Sequence, residues 1–349
     1  MSVEVRRPAP TASRGRRIIQ YALSGVLTIL FLWLAFRGTD AGALAAAIRG
    51  ADYGWIGLMV LLLILSHCAR ALRWRFLLDP IKHGIGFRNL FAGVMVGYLF
   101  NNLLPRAGEL VRPYVIGKLE GISKSSAFGT IVVERIIDTV SFLCLVALLP
   151  FIYSGPLVES FPWLREAGIV ITAVTAAGLA FLVLLMMRRD WTDRLLALLA
   201  RVVPAGIARR MEGFVHSFLD GFLFLTRPAN FAVIFFLSAS VWGLYVLMVY
   251  VAFFAFGIGN IGLSAAVVVQ AISSIGVAIP TPGGTGSYHV LTSQSLVKLF
   301  GVEPALALSY AAVTHAAGYL STTVIGLYYL LRDQIRTAEA FGEPSVGGS

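Results

Sequence analysis

Apolar runs of about 20 residues recur along this chain, the length a helix needs to cross the hydrocarbon core of a bilayer. Six segments read as full spans: Ile18 to Phe36, then about 54 to 72, 126 to 151, 167 to 187, 230 to 256 and 305 to 331. Two stretches fall short. Residues 90 to 104 and 107 to 119 are split by Pro105, and residues 262 to 279 and 284 to 300 by Pro280-Thr281-Pro282-Gly283-Gly284. Proline and glycine interrupt the helical hydrogen-bond ladder, and halves this short cannot cross alone, so each pair reads as a broken or re-entrant helical hairpin. The expected fold is all-α, a polytopic membrane helix bundle. With 58% hydrophobic and 13% charged residues, the chain departs from the roughly 45–50% and 25% of a soluble domain, which excludes a water-soluble core.

One membrane domain is expected over residues 18–332, between a basic N-terminal tail, 1–17, and a C-terminal tail, 333–349. The first run follows Arg6, Arg7, Arg14, Arg16 and Arg17, and it exceeds the roughly 7–15 apolar residues of a signal-peptide core, so it reads as an uncleaved helix. The net charge of +10 lies at the ends of apolar runs, not on an aromatic-interleaved patch, which argues for topology and against nucleic acid. With both termini cytoplasmic and each hairpin returning to its own side, 21 Lys and Arg fall on the cytoplasmic face and 4 on the other. That sorting obeys the positive-inside bias, and the expected location is the plasma membrane. Residues 188–229 alternate arginine with Trp191, Leu195, Phe214, Phe218 and Phe222, a pattern of helices lying on the cytoplasmic leaflet. Cys68 and Cys144 lack disulfide or metal spacing, and the five histidines show no metal pattern, so no metal or cofactor is expected.

One internal offset recurs. Gly121-Ile122 matches Gly301-Val302, Ala127 matches Ala307 and Val133 matches Val313, all 180 residues apart, and Leu104-Pro105 matches Ile279-Pro280 at 175. The unit of broken helix, Gly turn and full helix thus occurs twice, over about 88–151 and 262–331. Under the topology above, the two hairpins enter from opposite sides, which makes the units an inverted repeat of the kind that places a transporter's substrate site between its broken helices. Chance likeness between two Ala/Val-rich segments is the competing explanation.

Polar residues concentrate at those breaks. Asn101 and Asn102 precede the first, and Arg106, Glu109 and Arg112 follow it. Charges at membrane depth cost about 2.5–3.5 kcal/mol even on lenient scales, so they persist where they are used. Glu109 and Arg112, three apart on a helix, are placed to pair, while Arg106 and the two amides are candidates for ligand contact. Thr130, Glu134, Asp138 and Ser141 form one polar stripe with Arg135 beside it; the stripe suits a relay, a cation site or a static network. Gly283, Gly284, Gly286 and Ser287 open a helix whose free N–H groups would form an anion nest, or else act as a plain breaker. His289 and His315 lie in the same unit. No Walker lysine or hydrolase constellation is present, so no catalytic residues are assigned.

At these residues the chain resembles the lysylphosphatidylglycerol synthase/flippase transmembrane-domain family. The likeness rests on Asn102-Leu103-Leu104-Pro105-Arg106-x-Gly108-Glu109-x-x-Arg112, Gly121, Glu134-Arg135-x-x-Asp138 and Pro280-x-Pro282-Gly283-Gly284-x-Gly286, and it covers residues 15 to 332. The resemblance implies a stand-alone flippase-like protein. It lacks the fused members' aminoacyl-transferase domain, which implies no synthase activity, and it has His289 where those members resemble one another in an acid. A lysyl headgroup would lose its acidic partner there. The expected partners are membrane lipids with anionic or zwitterionic headgroups, bound between the hairpins. Arg106, Arg112, Arg135 and the 283–286 backbone would take phosphate, and Glu109, Glu134 and Asp138 a cationic group or a coupling proton. A membrane enzyme or accessory subunit acting on a phospholipid or polyprenyl-linked substrate, a non-transporting scaffold, a homo-oligomer and a partner enzyme stay open.

Overall fold

The computed structural model describes residues 26, 28–36, 40–187 and 205–340, and every element among them is helical. The helices are α1 (Thr28–Phe36), α2 (Ala41–Gly50), α3 (Tyr53–Leu78), α4 (Phe87–Leu103), α5 (Gly108–Glu120), α6 (Lys124–Ile152), the short α7 (Leu157–Ser160), α8 (Trp163–Met187), α9 (Ala205–Asp220), α10 (Phe231–Ala255), α11 (Gly262–Ala278), α12 (Ser287–Phe300) and α13 (Pro304–Ala340).

By length and composition, four helices among the described residues qualify as spans: Tyr53–Leu78, Lys124–Ile152, Phe231–Ala255 and Gly259–Ala278. The first three coincide with expected spans. The fourth is α11, the first half of the second expected hairpin, which the turn at Gly259–Ile261 lengthens to 20 residues. Of the expected first span, Ile18 to Phe36, residue 26 and α1 lie among the described residues, and α2 follows α1 at 91°. Asp40 starts α2, its carboxylate accepting the Ala43 N–H at 2.9 Å.

The two broken units match in detail. Each opens with a 17-residue helix, α4 or α11. Each break is followed by a helix of 13 or 14 residues, α5 or α12, that ends on a left-handed glycine, Gly121 at φ 67° and Gly301 at φ 66°. Only glycine adopts that conformation freely. Two residues later a side chain caps the next long helix: Ser123 takes the Ser126 N–H, and Glu303 takes those of Ala305 and Leu306. Close backbone approach closes each hairpin. A Cβ on Gly108 would run into the Gly97 carbonyl, and one on Gly276 would meet the Ser287 carbonyl at 3.0 Å.

α3 and α10 pack antiparallel. The Asp52 N–H, before α3, donates to the carbonyl of Ala255 at the end of α10 (2.9 Å), while Arg73, near the end of α3, reaches Ser238 near the start of α10 (3.1 Å). α4 and α13 are likewise antiparallel, with Asn102 against Thr322 and Phe91 against Tyr329. Two apolar cores result. One gathers Met59, Phe253, Val268 and Tyr310 with the second hairpin; the other gathers Trp74, Met95, Ile131 and Ile234 with the first. Along α3, α6 and α10 a polar layer separates them, at residues 66–70, 134–138 and 238–245. The outer surface is apolar, with Phe151 87% and Phe235 76% exposed, as a lipid-facing surface requires. Of the expected surface connector, residues 188–204 lie outside the described set. α9 is docked on the bundle as well as amphipathic, with Phe218 against Phe128 at 6.0 Å, and Phe222 in the turn after it is buried.

Candidate functional site

The polar layer centres on Glu134, which is fully buried on α6. Its Oε1 accepts from Arg70 (2.7 Å), Arg112 (2.8 Å) and Arg135 (2.7 Å), and its Oε2 accepts a second bond from Arg112 (3.0 Å). One turn on, Asp138 takes Arg70 and Arg73 at 2.7 Å each, and Arg135 at 3.2 Å. Four guanidiniums from α3, α5 and α6 thus surround two carboxylates. Arginine stays protonated in proteins, so the cluster carries two positive charges in excess. Three of its arginines are nearly inaccessible, whereas the Arg135 side chain is 42% exposed and forms the open edge.

The surrounding side chains fix these groups. The Arg112 guanidinium lies 4.3 Å from the Trp74 ring centroid, and Trp74 in turn donates to Thr130 at 2.9 Å. Arg70 also donates to Tyr245 (3.3 Å). His67, one turn before Arg70 and 1% exposed, packs on the Tyr98 ring at 4.3 Å, and neither of its ring nitrogens has a partner among the described residues. The Nε atoms of all four arginines and the indole nitrogen of Trp242 are likewise buried without acceptors among those residues. The layer is therefore rich in donors and poor in acceptors.

Arg112 bonds Glu134 with both terminal nitrogens, so the expected Glu109–Arg112 pair gives way to a link between α5 and α6. Arg70 and Arg73, expected in a cytoplasmic loop, lie on α3 and belong to this cluster. The signal was present: Ser66, His67, Arg70 and Arg73 are spaced at 3 and 4 along one helical face.

The other predicted residues gather where the two breaks meet. Arg106, at φ 60°, donates to the carbonyl of Ala278 at 3.3 Å, tying the tip of the first break to the end of α11. Asn101 accepts the Gly108 N–H (2.7 Å), and the Asn102 amide donates to Thr322 and Thr323 (3.1 and 2.9 Å). A Cβ on Gly283 would lie 3.2 Å from the Asn102 side chain. The N–H groups of Gly284, Thr285 and Gly286 go to Thr281, Pro282 and the His289 ring respectively, so the turn expected as an anion nest spends them on its own fold. Ser287 donates to Gly276 (2.7 Å), and His315 bonds the Gly283 carbonyl through Nε2 (3.0 Å). The His289 and His315 rings pack at a tilt of 57°, with centroids 4.7 Å apart. Glu134 sits with the arginines and His315 with the glycine turn, so the two belong to separate polar groups.

The sequence matches the family described as "Lysylphosphatidylglycerol synthase TM region" over residues 18–326. The chain belongs to this family. Two relatives in Methanothermobacter thermautotrophicus, each named UPF0104 membrane protein, are 26% and 27% identical; the matches cover 82% and 89% of this chain and 87% and 92% of the relatives. A protein of Haloferax volcanii named glycosyltransferase AglD is 25% identical over 91% of this chain and 55% of its own length. The family match embraces the arginine–carboxylate cluster and both broken hairpins, so the site lies within the shared membrane region.

Proposed function

We propose that the protein moves a polar-headgroup lipid between leaflets, receiving the headgroup phosphate at the arginine–carboxylate cluster. The carrying observation is the excess of guanidinium over carboxylate inside an apolar bundle. Uncompensated charge there costs several kcal/mol, a cost that a bound anion offsets. The antiparallel pairing of α3 with α10 and the closeness of the two breaks support an inverted-repeat arrangement, in which rocking of one unit against the other would expose the site to each leaflet in turn. On this reading Arg135 meets the headgroup first, Arg106, Glu109 and Asn101 line the path at the first break, and the 283–289 turn with His315 forms the second gate. Both termini face the cytoplasm, no cofactor takes part, and no chemical step is catalysed.

The glycosyltransferase name of one relative favours a second reading, a membrane module that presents a lipid acceptor to an enzyme. Proteoliposomes holding fluorescent lipids separate the two. A reductant added outside should quench inner-leaflet dye when wild-type protein is present, and Arg112→Gln should leave that pool protected. A protected pool with folded wild-type protein that still binds lipid would overturn translocation in favour of the presenting module.

A further inference from the structure

The charge count of the cluster specifies the headgroup class. Among the described residues, Arg70, Arg73, Arg112 and Arg135 face only Glu134 and Asp138, and the other groups lining the layer, His67, Tyr98, Tyr245 and Trp242, bring no further carboxylate. A zwitterion leaves both excess charges unmatched, and a phosphodiester, with one negative charge, leaves one. A phosphomonoester close to its second ionisation supplies up to two charges and three strong acceptor oxygens. Those acceptors are what the layer lacks. Among the described residues, the four arginine Nε atoms, the Trp242 indole nitrogen and the one His67 nitrogen that carries its proton are buried donors without acceptors.

We infer that this site selects a dianionic phosphate, a terminal phosphomonoester, over the phosphodiester headgroups of ordinary glycerophospholipids. The inference rests on the reading of the cluster as a headgroup site and adds the ionic class of the ligand. Arg135, the exposed member, sets the count: its loss lowers the excess to a single positive charge, which suits a monoanion. The same dianion chemistry is offered by a lipid carrying a terminal phosphate and by free inorganic phosphate.

The test uses the full-length protein in nanodiscs of phosphatidylcholine doped with phosphatidic acid or with phosphatidylglycerol at pH 8, with binding read by tryptophan fluorescence, and inorganic phosphate titrated separately. Wild type should bind phosphatidic acid at least about tenfold more tightly than phosphatidylglycerol, a difference of about 1.4 kcal/mol. Arg135→Gln should bring that ratio below about threefold while remaining folded by size exclusion, and Arg135→Lys should restore it. Inorganic phosphate matching phosphatidic acid in affinity would keep the dianion class and make free phosphate the ligand. Equal binding of both lipids by wild type, or an unchanged ratio in Arg135→Gln, would overturn the assignment. Lipid scrambling that persists under either of those results would leave translocation standing, whereas dianion-selective binding without scrambling would refute translocation alone.

Discussion

Glu134→Gln tests whether one carboxylate organises the charged layer. Glutamine keeps the shape, but it removes one negative charge and turns an amide NH2 toward at least one guanidinium. Glu134 Oε1 is shared by Arg70, Arg112 and Arg135 at 2.7–2.8 Å, and Oε2 serves Arg112 alone at 3.0 Å. The amide oxygen should replace Oε1, leaving the NH2 against Arg112 and raising the local excess from two positive charges to three. Breaking a buried ion pair by removing one partner costs about 3–5 kcal/mol, against a total stability of about 5–15 kcal/mol. At about 1.4 kcal/mol per tenfold change, the folded-to-unfolded ratio should fall by about two to four powers of ten. Thermal unfolding of the detergent-solubilised protein, followed by tryptophan fluorescence, should show a midpoint several degrees lower, with reduced monodisperse yield. Adding Arg112→Gln should recover much of the loss, because two amides can pair and the excess returns to two. Glu109→Gln, outside the cluster, serves as the control. If Glu134→Gln melts with wild type, the carboxylate does not hold the layer together.

Two further outcomes follow from the geometry. In a background without Cys68 and Cys144, cysteines at 158 and 258 should react with an impermeant thiol reagent from outside intact cells, while those at 83 and 205 stay protected; labelling at 83 would invert the orientation drawn from the basic residues. Arg106→Gly removes a non-glycine residue from φ 60°, where an L side chain costs about 1–2 kcal/mol, so the variant should melt no lower than wild type yet translocate more slowly. A clear drop in its melting temperature would make the Arg106–Ala278 bond a structural tie and remove Arg106 from the headgroup path.

The breaks, the glycine turns and the polar residues of α6 were legible because each leaves a local signature: proline or glycine where a ladder fails, glycine where a helix must turn left-handed, and polar residues at helical spacing in an apolar run. The cluster's full membership was not, for a physical reason. Arg70 and Arg73 stand near the end of an apolar run, where the positive-inside rule assigns arginines to a loop, and only the extension of α3 to Leu78 carries them into the bundle. Hydropathy measures how far apolar residues run, whereas a helix continues past them when its polar residues find partners. Here the partners are Glu134 and Asp138 on α6, more than 60 residues away in sequence. The Glu109–Arg112 pairing failed for the same reason: spacing along one helix names neighbours, and the fully buried Glu134 on another helix gave Arg112 two bonds. The excess of arginine, on which the ligand assignment depends, therefore exists only at the level of tertiary structure. Counting Arg106, Arg112 and Arg135 against Glu109, Glu134 and Asp138 along the sequence gives a neutral balance, and folding exchanges Arg106 and Glu109 for Arg70 and Arg73, which leaves the layer with two positive charges in excess.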